Sequence, residues 1–120
     1  MYNKEENLLN NFDEMALAFV NSIYTEFLFS IKDVDRLKNE NTFQLWLQKY
    51  MDKLKQRLEG KALEYISINR NLPTIDWFHK KLSYMIGQYL QEFLQRTKAF
   101  KYHSLRGLQQ MAPLYSHTQQ

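Results

Sequence analysis

Residues 74–102 read TIDWFHKKLSYMIGQYLQEFLQRTKAFKY. Leu72 and Pro73 come just before. A residue that precedes proline avoids helical backbone angles, so this junction is extended. Thr74 then suits the N-cap, where its hydroxyl can accept from an unpaired backbone N–H, and Asp76 suits the first turn. At about 100° per residue, Ile75, Phe78, Leu82, Met85, Ile86, Tyr89, Phe93 and Phe100 share one wide stripe, with Leu90 at its edge. That stripe is a core face. Nearly opposite lie Trp77, Tyr84 and Tyr102, interleaved with Lys80, Lys81, Gln88, Gln91, Gln95 and Lys98. Large aromatics on an outward face can sit at helix boundaries with their polar tips wet. They can also form a second contact surface. Gly87 lies on the same side, and a glycine costs about 1 kcal/mol in a helix interior. It therefore predicts a close helix crossing.

The flanking chain supplies the helices this one needs. From Lys4 to about Ser30, Leu8, Leu9, Phe12, Met15, Ala16, Phe19, Val20, Ile23 and Phe27 recur at helical spacing. Tyr24, Phe27, Leu28 and Phe29 cover most of the circumference, which suggests deep enclosure or sharing between subunits. Residues 31–38 are either a continuation or a short separate helix. Asn41, with Gln44 three residues on, resembles a capping box for a second helix over about 42–68. Its core stripe is Phe43, Leu47, Tyr50, Met51, Leu54, Leu58 and Tyr65. Residues 67–73, SINRNLP, form a short break, so the second and third helices should be antiparallel neighbours.

Charge is unevenly spread. Residues 1–40 hold four basic and eight acidic side chains, whereas residues 77–120 hold six basic and one acidic, Glu92. Lys49, Lys53, Arg57 and Lys61 stand four residues apart, and like charges at that spacing repel mildly. Either the acidic first helix answers this ridge or an anionic partner does. With Lys80, Lys81, Lys98, Lys101 and Arg106 it makes a candidate nucleic-acid surface, with aromatics near the cations for base stacking.

Other chemistry finds little footing. There is no cysteine, which excludes disulfides and thiolate metal sites. His79, His103 and His117 show no metal-ligand spacing, so neither metal nor cofactor is expected. Three glycines cannot build a phosphate-cradling loop. The longest apolar run, residues 15–20, is far too short for a membrane span. The first residues are acidic and polar, unlike a signal peptide, so the chain is expected in the cytoplasm.

Arg96 and His103, within RTKAFKYH, form an R-x6-H arrangement. It resembles the R-x4–6-H motif of HEPN-domain ribonucleases, all-helical proteins that dimerise to bring the two residues to an RNA backbone. The resemblance covers eight residues of 120. It implies that Arg96 steadies a phosphate and His103 acts on a 2′-hydroxyl, with Thr97 as the polar residue that follows the arginine.

The expected fold is all-α: an elongated bundle of three long helices plus a short C-terminal helix or tail. Residues 1–112 form one domain. Residues 113–120 are expected to be a disordered tail, because Gly107 and Pro113 limit helix there. The foremost functional expectation is a non-enzymatic interaction module, an adaptor, chaperone or regulator that is itself a homo-oligomer, most simply a dimer. Its candidate contacts are Trp77, Tyr84 and Tyr102 with Leu105, Leu108 and Met111. The alternatives are a nucleic-acid-binding regulator and a HEPN-like ribonuclease.

Overall fold

The apolar stripes meet in an up-down-up bundle. The structure, a computed structural model, describes residues 4–31 and 38–118, and their side chains through Arg106. Three helices make it up: α1 (Lys4–Ser30), α2 (Glu40–Ile68) and α3 (Ile75–Thr118). No strand occurs among the described residues. The molecule is elongated, with extents of 74 × 29 × 18 Å.

Register follows from pairs that cross the seams. Glu5 meets Thr74, Asp13 meets Tyr89, and Asn21 meets Arg96, so α1 and α3 run parallel. Phe12 packs on Tyr65 and Phe27 on Phe43, so α2 runs antiparallel between them in sequence. The predicted antiparallel pairing of α2 and α3 is thus present, made by a link of six residues, 69–74. Asn69 closes α2: its backbone N–H donates to Tyr65 O and Ile66 O, and its buried side chain donates to Tyr65 O at 2.8 Å.

The core is aromatic. Phe27 sits fully buried among Phe43, Tyr50 and Phe93, with ring centroids 5.8–6.1 Å apart in edge-to-face arrangements. Such pairs add about 0.5–1.5 kcal/mol each beyond the area they bury. Phe12, Ala16, Val20 and Ile23 of α1, Leu54 and Leu58 of α2, and Phe78, Leu82, Ile86 and Tyr89 of α3 continue this core. Thr97 is buried too, with its hydroxyl donating to Leu94 O at 2.8 Å, so the polar group is satisfied within its own helix.

Several details depart from the sequence expectation. The cap of α2 is Asn39, not Asn41: Asn39 Oδ1 accepts from Thr42 N at 3.0 Å. Starting two residues earlier places Glu40 in the first turn, where the helix dipole favours it and where it reaches Lys101. Helix α3 itself runs past Tyr102, through Gly107 and Pro113 to Thr118. No glycine among the described residues has a positive φ, so Gly107 lowers helix propensity without redirecting the backbone. An interior proline removes one hydrogen bond and crowds the carbonyl four residues back, so helix through Pro113 costs about 3 kcal/mol or more. Finally, Gly87 marks no crossing within the bundle: a Cβ built there meets nothing within 4 Å. Residues 32–37, expected as a continuation or short helix, lie outside the described residues.

Candidate functional site: the outer face of α3

A helix that gives one side to the core leaves the other to solvent or to a partner. On α3, Tyr84 and Tyr102 are five full turns apart and lie on one line, with Trp77 about 20° from it; the three span about 37 Å. Their exposures are 52% for Trp77, 60% for Tyr84 and 58% for Tyr102. Lys80, Lys81, Gly87, Gln88, Gln91, Gln95, Lys98 and Arg106 all fall within about 60° of that line. Each is exposed.

The basic charges on this face make few direct contacts with acids, although Lys98 adds to the field that lowers the pKa of Glu40 and Lys81 shares a depression with Glu6 and Asp13. Lys80, Lys81 and Lys98 have no carboxylate within 4.0 Å among the described residues. Instead they and their neighbours attend to rings: Lys81 Nζ is 5.4 Å from the centroid of Tyr84, and the Arg106 guanidinium is 6.0 Å from that of Tyr102. Tyr84 is held further by Gln88, whose Nε2 donates to its hydroxyl at 3.2 Å. Glycine 87 leaves a notch in the middle, bordered by Ser83, Tyr84, Gln88 and Gln91. Because nothing inside the molecule occupies that space, the helix carries the glycine's cost of about 1 kcal/mol with no intramolecular return.

The other cations anticipated as an anion surface are divided among different seams. Lys53 lies 2.6 Å from Glu26 of α1, and its hydrogen bond holds that carboxylate below the ordinary range. Arg57 adds to the same field. Lys61 pairs along its own helix with Glu64 at 2.6 Å. Lys49 lies over the rings of Trp46 and Tyr50, 5.5 and 5.6 Å from their centroids. Lys101 bonds Glu40 across the α2–α3 seam, lowers that carboxylate's pKa, and rests 4.4 Å from the centroid of Phe43. The ridge on α2 therefore turns toward acidic α1 along its middle, and the cations of α3 stand apart from it.

Arg96 and His103 do border one shallow depression, with Tyr24, Ala99, Phe100 and Ser104. The guanidinium is already engaged: it donates to Glu92 and Asn21, each at 2.9 Å, and lies over Tyr24. Thr97 is turned into the core rather than toward His103. His103 itself is exposed and packs edge-on against Tyr102. Among the described residues no group of three metal-ligating side chains occurs. Of the remaining candidate contacts, Leu105 is half-buried against the core, and the side chains of Leu108 and Met111 lie outside the described residues.

One feature escaped sequence reading. Between α2 and α3, on the side away from α1, runs a groove of about 430 Å³ lined by Ala62, Leu63, Ile66, Leu82, Ile86 and Leu90. Its signal was Leu63, which falls opposite the core stripe of α2 and is largely exposed. Gly87 borders this groove as well as the notch on the outer face. No helix among the described residues is long and apolar enough to cross a membrane.

No protein-family model matches the chain, and no curated protein or solved structure is significantly similar to it.

Proposed function

We propose that this protein is a helical interaction module that acts by protein–protein contact through the outer face of α3. The observation that carries the reading is the exposed line of Trp77, Tyr84 and Tyr102 on a helix whose other side already fills the core. Trp, Tyr and Arg are the residues that most often dominate binding energy at protein interfaces. Trp and Tyr contribute large, rigid contact area with few rotatable bonds to immobilise. The face is built on a long helix tied to both neighbours, by Tyr89 to Asp13 of α1 and by Lys101 to Glu40 of α2. A partner would meet a surface already formed, which lowers the ordering cost of binding.

The partner is either a second copy of the chain, as the sequence suggested, or a different protein. Sedimentation velocity combined with affinity capture separates the two. Trp77→Ala with Tyr84→Ala should reduce self-association or capture by about tenfold or more. A wild-type chain that is an inert monomer, or binding indifferent to both substitutions, contradicts the reading.

A further inference from the structure

We draw no further inference here: the strongest candidate, the apolar groove between α2 and α3 lined by Ala62, Leu63, Ile66, Leu82, Ile86 and Leu90, carries nothing because nothing in the structure shows what covers it.

Discussion

The two sides of α3 are built from the same residue types and put to opposite uses. On the inner side, Phe78, Leu82, Tyr89 and Phe93 are buried, with Tyr89 packed on Phe12 and Phe93 on Tyr24 and Phe27 of α1. Polar groups there are answered: Tyr89 donates to Asp13, and burial together with that bond pushes the phenol's pKa well above its ordinary value. On the outer side, Trp77, Tyr84 and Tyr102 stand exposed, and Lys80, Lys81 and Lys98 beside them are in no ion pair among the described residues. An aromatic ring on a helix is thus not evidence of a core; its position on the wheel and its charged company decide.

Substitutions can break this contrast, and they rank by expected effect. Phe27→Ala removes the ring that joins all three helices, and should cost about 3–5 kcal/mol in urea unfolding because a cavity is left among rings that cannot collapse. A loss under about 1 kcal/mol would mean the core is not closed as described. Tyr89→Phe deletes the hydroxyl bonded to Asp13 and should cost about 0.5–1.5 kcal/mol by the same measurement. Gly87→Ala should raise stability by up to about 1 kcal/mol, since a methyl group there meets nothing and helix propensity improves. If it destabilises instead, the outer face is covered by the protein itself.

Acid titration probes the seams. Glu26 and Glu40 have pKa values lowered by hydrogen bonds from Lys53 and Lys101, and Glu5 by one from Thr74. A carboxylate whose folded pKa is lowered contributes stability that is fully present above its unfolded value. That contribution is lost as pH falls through the folded value. The thermal midpoint should therefore hold steady from neutral pH to near the ordinary carboxylate value of 4.5 and fall below it. Glu26→Gln should flatten part of that fall; an unchanged profile would remove the Lys53 pair from the account. The effect is small, because these carboxylates are exposed and screened by solvent.

Much of the fold was legible because periodicity reports burial directly. Every fully buried residue of α1 up to Phe27 falls on its predicted stripe, and those of α3 from Phe78 to Phe93 do likewise. Thr97 was not foreseen, since a hydroxyl can satisfy itself on its own helix and vanish from the polar pattern. The start of α2 was misplaced by two residues because Asn39 and Asn41 are equally good caps. The choice fell to Glu40 and its contact with Lys101, 61 residues away. The α2–α3 groove left only Leu63, opposite the core stripe of α2, as a signal, because its shape depends on how two helices sit beside each other. The exposed line of Trp77, Tyr84 and Tyr102 was legible, and so was the uneven charge. What the spacing could not say was that Lys53, Lys61 and Lys101 are in ion pairs whereas Lys80, Lys81 and Lys98 are in none among the described residues.

The division of labour on α3 is tested most directly by one doubly substituted protein, Trp77→Ala with Tyr84→Ala, measured twice. Urea unfolding should move by no more than about 0.5 kcal/mol, as for other exposed positions. Binding to the partner, whether a second copy or a different protein, should weaken about tenfold or more. A protein that loses about 2 kcal/mol of stability and binds as before would show that these rings belong to the fold, and would contradict the account.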